Sequence, residues 1–322
     1  MTITLKEILA LAKEIPEAYF DEAFEKLTEI KKKADDKSNS NGHDCPFCQS
    51  KQTVRNGKSR GKQMYLCKDC RKSFSGTATK AIEYSHSSPT VWRQVISDTI
   101  EGIPIDMTAE SLDLHHATVF NMRHKILYCI EQSLIAEPTA LTGVCEADET
   151  YVLECEKGRK FPENHHRKPR KHGAKASKAG ISNEYVCVCT SVTGEDEKVA
   201  VAINRASPNS QEILDVFGER VNKDTVLLCD GKRSYNVLDD KCTVAVANRI
   251  NKVNGFHSFI KDRLDSMRGV ATIYLNRYNS LFSKVYSADR SSLIEDIYEL
   301  MVTWNNSFKT IAQIRSENLL DI

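Results

Sequence analysis

The sequence lacks the features of several large classes of protein. No apolar run approaches the roughly 18 residues that a membrane-spanning helix needs. The amino terminus has no basic start followed by an apolar core, so we expect no secretory signal and a cytoplasmic protein. Proline and glycine are few, at 8 and 14 of 322 residues, and the remaining composition is that of a soluble globular protein.

An excess of charge of one sign is also absent, since 45 Lys and Arg stand against 44 Asp and Glu. The charges are nevertheless segregated along the chain. Residues 44–80 hold nine basic and two acidic side chains, and residues 157–180 hold nine basic and one acidic. Two concentrated basic stretches in a near-neutral protein indicate contact with a polyanion, for which nucleic acid is the obvious candidate. Two solvated surfaces are the alternative.

Cysteine is plentiful, but a disulfide framework is not expected in a chain without an export signal. Two Cys-x-x-Cys pairs, separated by eighteen residues, are typical of a zinc ribbon; their members are Cys45, Cys48, Cys67 and Cys70. Four thiolates complete a tetrahedral site for Zn²⁺, which leaves this ion structural rather than catalytic. The other seven cysteines show no ligand spacing, and we interpret them as small core residues.

The pattern along the chain predicts a multidomain protein. Its expected parts are an N-terminal helical segment (1–36), a zinc ribbon (44–86), a helix-turn-helix DNA-binding region (88–130), an α/β catalytic domain (143–285) that contains a basic insertion (157–180), and a C-terminal helical tail (286–322). In the region 88–130, three short helices are expected, and the third would present Thr118, Asn121, Arg123 and Lys125. A plain helical linker is the alternative interpretation of this region.

From residue 143 the pattern changes to strands. Three strand-like runs are followed by a helix, a parallel strand and a further short strand; the expected ranges are 144–153, 184–193, 196–204, 209–222, 224–229 and 242–247. This order predicts a mixed sheet with helices on its faces, and it is the element order of an RNase H-like domain.

Two aspartates occupy special positions on that sheet. Asp148 lies in the middle of the first strand, on the same face as Glu146, and Asp230 ends the fourth. In an RNase H-like arrangement the two strands are neighbours, so both carboxylates could hold Mg²⁺ or Mn²⁺ for phosphodiester chemistry. A turn aspartate is the alternative for Asp230, which precedes a glycine.

The chain resembles transposases of the IS1595 (ISXO2-like) family of bacterial insertion sequences. The resemblance covers residues 44–282, through the cysteine pairs, the helix-turn-helix pattern and the segments 147–151, 229–235 and 254–261. It implies a DDE-type enzyme that cleaves DNA and joins strands. Its expected partners are double-stranded DNA, as element terminal inverted repeats and target, and a second copy of itself, and it would be nucleoid-associated.

The sequence departs from the family pattern at the third active-site position. No glutamate occurs between Glu219 and Glu295, and Asn254 stands where family members commonly have glutamate. The resemblance also implies that some members use an Asp-Asp-Asn arrangement followed by Lys, which Asp148, Asp230, Asn254 and Lys261 would fit. His257 shares the helix face with Asn254. Asp262 and Asp265 are fallback ligands, and the alternative, which we favour, is that they are ordinary helix-surface aspartates.

Sequence recognition would fall to the ribbon and the third helix, and phosphate contacts to the insertion, which we expect to be a flexible loop. The candidate DNA-contacting residues are Arg55, Lys58, Arg60, Lys62, Asn121, Arg123, Lys125, Arg167, Lys168, Arg170 and Lys171. Two other functions remain open. One is a non-catalytic, domesticated DNA-binding protein, which the missing glutamate favours, and the other is a nuclease of the same fold that does not join strands.

Overall fold

A computed structural model describes residues 43–48, 50–59, 61–76, 81–82, 85–158, 161, 163, 165–170, 174–194, 197–303, 311–317 and 319–320. The chain divides into two compact units, residues 1–78 and 79–322. The expected N-terminal helical segment 1–36 lies outside the described residues. No helix in the described part of the chain has the length and apolar character that a membrane crossing requires.

The first unit contains an antiparallel sheet of three strands, β1 (Thr53–Ser59), β2 (Lys62–Cys67) and β3 (Ser73–Ser75). These strands lie between and after the paired cysteines. The buried apolar cluster of this unit consists of Cys45, Tyr65, Cys67 and Phe74, and the two aromatic rings stack with centroids 5.8 Å apart. Because so small a core stabilises little by itself, the sheet needs a cross-link of another kind.

Three helices open the second unit: α1 (Pro89–Glu101), α2 (Ile105–Ser111) and α3 (His116–Ala136). Local signals set their ends. The Ser88 side chain accepts a hydrogen bond from the Val91 amide, and Gly102, at φ 75°, ends α1 in the left-handed region that glycine tolerates. Helix α2 begins directly after Pro104, whose fixed φ suits a helix start.

A five-stranded mixed sheet follows, and it confirms the predicted sheet. Its strands are β4 (Leu141–Leu153), β5 (Tyr185–Thr193), β6 (Lys198–Arg205), β7 (Val221–Cys229) and β8 (Thr243–Val246). Their order is β6-β5-β4-β7-β8. The β4–β5 and β5–β6 pairs are antiparallel, whereas β4–β7 and β7–β8 are parallel. Helix α4 (Ser210–Phe217) provides the crossover from β6 to β7.

Helices cover both faces of this sheet. Four of them follow β8: α5 (Asn251–Ser266), α6 (Leu275–Val285), α7 (Arg290–Thr303) and α8 (Ile311–Ser316). One sheet face, with Val186, Val188 and Val192, packs in a core with α5, α6 and the first three helices. The other face packs against α4 and includes Cys145, Cys187 and Cys189. Six of the seven cysteines outside the paired motifs are buried, as expected of small core residues, and Cys155 is half-buried.

Candidate functional site

The four cysteines of the paired motifs converge in the first unit. Their sulfur atoms all lie within 4.8 Å of one another, with 3.5 Å between the Sγ atoms of Cys45 and Cys70 and 3.6 Å between those of Cys48 and Cys67. A tetrahedral ion with four Zn–S bonds of about 2.3 Å separates its sulfurs by about 3.8 Å. The backbone amide of Cys70 lowers the pKa of the Cys67 thiol to about 6, which favours the thiolate there, whereas burial raises the pKa of the Cys45 thiol. The donor set fits a structural zinc ion.

Strand register brings the two aspartates together at the end of β7. The parallel pair β4–β7 opposes Glu146 to Leu228, and two more residues along each strand bring Asp148 level with Asp230. Asp148 is half-buried and Asp230 is exposed. Burial, and then the negative charges of Glu149 and Asp230, raises the pKa of Asp148 to about 6.

A short turn orients Asp230. Gly231 has φ 88°, a value that favours glycine, and the backbone amide of Lys232 donates to Asp230 Oδ1 over 3.1 Å. The Lys232 side chain turns to the other face of the sheet, where its Nζ lies 2.7 Å from Glu149 Oε2. The turn is therefore fixed to β4, the strand that carries Asp148.

Helix α5 lies against the same face of β4. The Val253 amide donates to Glu146 Oε2 over 3.0 Å, so a β4 carboxylate satisfies one of the unpaired amides at the start of the helix. Asn254 is the next residue and is exposed. Lys261, two turns further along α5, is also exposed and lines a cleft of about 1080 Å³ between α5 and the segment that follows β4.

Two neighbouring carboxylates without a counter-charge are the condition in which a divalent cation binds well. In the part of the chain that the structure describes, no basic side chain forms an ion pair with Asp148 or Asp230, because Lys232 is held by Glu149. Asn254 carries a side-chain amide oxygen, which is also a hard ligand that suits Mg²⁺ or Mn²⁺. The residues therefore fit such ions chemically.

The basic insertion is anchored by two buried acids at its ends, Glu154 and Glu184, which follow β4 and precede β5 and are 1% and 2% exposed. Arg167 Nε lies 2.9 Å from Glu154 Oε2, and Arg170 Nη1 lies 2.8 Å from Glu184 Oε2. Arg205 of β6 also pairs with Glu154. The expectation of a flexible loop is wrong for this part of the insertion, because its arginines are held in internal ion pairs.

His165 and His166 complete a cluster with Glu154 in which the ligand atoms lie within 4.8 Å of one another. A metal ion is disfavoured there, because Arg167 and Arg205 already place two positive charges on the same carboxylate. The cluster is an internal charge network that fixes the insertion.

The predicted DNA-contacting residues fall into several environments. Arg55, Lys58, Lys62 and Lys168 are exposed, Asn121 and Lys125 are half-buried, and Arg60 and Lys171 lie outside the described residues. The prediction that Arg123 contacts DNA is wrong. Arg123 is 1% exposed, and its Nη2 donates to the Ile103 carbonyl over 2.8 Å. It therefore packs α3 onto the α1–α2 connection and cannot reach DNA. Arg167 and Arg170 are held by the buried acids.

No family model matches the chain. A protein of Halobacterium salinarum, described as an uncharacterized protein in transposable element ISH50, is 25% identical over 203 residues. The match covers 62% of this chain and 66% of that protein, slightly less than two thirds of the relative's length. The chain is thus similar to a protein carried by a transposable element.

Solved structures with detectable likeness include complexes of Mos1. A pre-cleavage Mos1 transpososome is 10% identical, with a TM-score of 0.27 over 64% of this chain and 75% of that chain. The Mos1 strand transfer complex is 13% identical, with a TM-score of 0.29 over 61% and 70%. TM-scores this low do not establish a shared fold.

Sequence reasoning missed the contacts that support the aspartates and the insertion. Glu146 was visible as a same-face neighbour of Asp148, but its contact with α5 spans 107 residues. The Glu149–Lys232 pair spans 83. A usable signal existed for the insertion, since Glu154 directly follows β4 and Glu184 directly precedes β5, on either side of the basic segment.

Proposed function

We propose that the protein is a DDE-type DNA transposase of an insertion sequence, of the IS1595 (ISXO2-like) family. The observation that carries the proposal is the strand register, which brings Asp148 in the middle of β4 level with Asp230 directly after β7, with no basic side chain of the described residues in an ion pair with either. The β6-β5-β4-β7-β8 order, with its antiparallel and parallel halves, supports an RNase H-like catalytic domain. Similarity to a transposable-element protein supports the biological setting.

Asp148, Asp230 and Asn254 would hold divalent ions, Mg²⁺ or Mn²⁺. When bound, such ions activate the attacking oxygen and stabilise the leaving oxygen of a phosphodiester. Lys261 would contact a DNA phosphate from its position in the cleft beside α5. Water would attack the phosphodiester at the element end to release a 3′-hydroxyl, and that hydroxyl would then attack the target strand.

The DNA would be bound by three parts of the protein: the first unit, helix α3 and the insertion. Arg55, Lys58 and Lys62 lie on the β1–β2 hairpin of the first unit, and Asn121 and Lys125 lie on α3, the proposed recognition helix. Lys168 in the anchored insertion would bind phosphates. Because a transposase must bring two element ends together, we propose at least a homodimer on DNA.

The test is metal-dependent nicking of a labelled duplex that carries the end of the element encoding this protein. The zinc-loaded chain should nick the duplex in Mn²⁺, and Asp148→Ala and Asp230→Ala should abolish nicking while retaining DNA binding. Asp240→Asn, at an exposed aspartate outside the site, is the matched control and should nick normally. Binding without nicking by the wild-type chain would instead support the domesticated DNA-binding protein.

The third position needs its own pair of variants. Asn254→Ala should lower the nicking rate, and Asn254→Glu should retain or raise it because a carboxylate offsets more metal charge than an amide. Unchanged nicking in Asn254→Ala would remove this residue from the site. Nicked products that never join to a second duplex would indicate the nuclease.

A further inference from the structure

A buried polar chain links the strand that carries Asp148 to the helix that carries Asn254. Thr190 of β5 lies directly opposite Asp148, and its Oγ1 donates to the Asp148 carbonyl oxygen over 2.8 Å. The same Oγ1 lies 2.6 Å from Nε2 of His257 on α5. Thr190 is fully buried and His257 is 7% exposed, so water does not compete for these contacts.

The hydrogen positions follow from the contacts. A threonine hydroxyl has one proton, and here that proton points to the Asp148 carbonyl. His257 must therefore donate from Nε2 to Thr190 Oγ1, which fixes the neutral ring in its Nε2–H tautomer. The two hydrogen bonds point in one direction, from His257 to Thr190 and from Thr190 to the backbone carbonyl of Asp148.

These two hydrogen bonds lie within an otherwise apolar contact between α5 and the sheet. Val253, Phe256 and Ile260 are the buried apolar residues of α5, and Val188 and Val192 flank Thr190 on β5. Apolar packing is non-directional, so by itself it lets a helix shift along a sheet, whereas hydrogen bonds fix distance and angle. Together with the contact of the Val253 amide with Glu146, the chain ties α5 to β4 on both sides of Asn254.

We propose that Thr190 and His257 are positioning residues that hold Asn254 and Asp148 in register as ligands of one metal site. The inference rests on the proposed function, which makes those two residues ligands. Neither Thr190 nor His257 is itself a ligand in this scheme, since the Thr190 hydroxyl and the His257 Nε2 are already used in the chain.

Two pairs of variants separate this role from simple packing. His257→Phe and Thr190→Val keep the ring or the branched shape but remove the hydrogen bonds. His257→Gln places an amide donor near the position of Nε2, and Thr190→Ser keeps the hydroxyl, so both should restore the chain. Mn²⁺ binding to the zinc-loaded, full-length protein is measured by the electron paramagnetic resonance signal of the free ion, with circular dichroism to confirm folding.

We expect His257→Phe and Thr190→Val to weaken Mn²⁺ binding by about 10-fold or more, the usual effect of removing a group that orients a ligand. The Gln and Ser variants should bind within a few-fold of wild type. If the Phe and Val variants bind Mn²⁺ as wild type does while Asp148→Ala abolishes binding, the positioning role is wrong and the metal site stands. If Asp148→Ala also leaves Mn²⁺ binding unchanged, the proposed metal site fails and the inference fails with it.

Discussion

Lys232 Nζ lies 2.7 Å from Glu149 Oε2, on the opposite face of β4 from Asp148. The Glu149 side chain is 5% exposed and that of Lys232 is 26% exposed, so this ion pair is largely shielded from water. Lys232 is two residues from Asp230, and Glu149 is adjacent to Asp148. One ion pair therefore joins the turn that carries one aspartate to the strand that carries the other.

Removing the lysine alone should be more damaging than removing both partners. Lys232→Met leaves Glu149 buried without a counter-charge, which costs about 3–5 kcal/mol of unfolding free energy. The double variant Lys232→Met/Glu149→Leu should recover much of that loss, because no buried charge remains. Urea unfolding followed by tryptophan fluorescence measures this, since Trp92 is buried in the second unit.

Lys241→Met is the control for the loss of a positive charge, because Lys241 is exposed, and it should change the unfolding free energy by no more than about 0.5 kcal/mol. A double variant as unstable as Lys232→Met would show that the loss of stability comes from losing the ion pair and not from leaving the Glu149 carboxylate unpaired.

The cysteine cluster predicts one zinc ion per chain. Cys67→Ser should abolish the zinc content and unfold the sheet of the first unit, because Tyr65 and Phe74 are the only aromatic residues among the described core of that unit. A colorimetric chelator measures the zinc released from denatured protein. Cys155→Ser, outside the cluster and half-buried, should keep the full zinc content. Equal zinc in both variants would contradict the assignment.

The pH dependence of stability should reflect His124, a buried residue of α3. Its ring lies 4.3 Å from that of Phe120 and 4.4 Å from that of Tyr274, measured between centroids. Burial, followed by the positive charges of Arg277, Arg315 and Arg123, lowers the pKa of His124 from 6.5 to about 3. The folded state therefore keeps this ring neutral in mild acid.

The unfolded chain takes up that proton near pH 6.5, so the stability from the neutral ring is complete above pH 6.5 and is lost as the pH falls towards 3. At pH 5 the loss from this residue is about 2 kcal/mol relative to pH 7. His124→Phe keeps the ring packing and should flatten the decline by that amount in urea unfolding. His86→Asn, at an exposed histidine, should leave the decline as in wild type.

Local patterns predicted the elements well because local physics determines them. The Pro89 start of α1 and the strand-like runs of β4 and β5 depend on residues a few positions apart, and the structure confirms them. The position of Asp230 at the end of β7 followed from the same kind of pattern. Whether Asp148, Asp230 and Asn254 act together in catalysis stays a prediction.

Contacts between side chains far apart in the sequence could not be predicted from local patterns. Arg123 was expected to face DNA because a basic residue on a surface helix usually faces solvent. Instead, the Ile103 carbonyl between α1 and α2 accepts a hydrogen bond from the Arg123 guanidinium, a contact that depends on how three helices pack. The arginines of the insertion were misjudged for the same reason, since net charge does not reveal that Glu154 and Glu184 are buried beside them.

Releasing the anchor should convert the insertion into the flexible loop that its composition suggests. Glu154→Gln removes the charge that Arg167, Arg205 and His166 share, and it leaves two guanidinium groups facing a neutral amide. Breaking a buried ion pair costs about 3–5 kcal/mol, so local opening of residues 157–180 should rise by about 100-fold or more. Trypsin, which cuts after Lys and Arg, reports that opening as a faster cleavage within the insertion.

Glu163→Gln tests whether loss of any acid from the insertion has the same effect, because Glu163 is exposed and its removal also raises the local net charge by one. Its cleavage rate should match that of wild type. If Glu154→Gln is also cut at the wild-type rate, the carboxylate does not anchor the insertion. If it is cut faster but binds duplex DNA with unchanged salt dependence, the lysines bind the phosphates and the arginines serve only to hold the insertion in place.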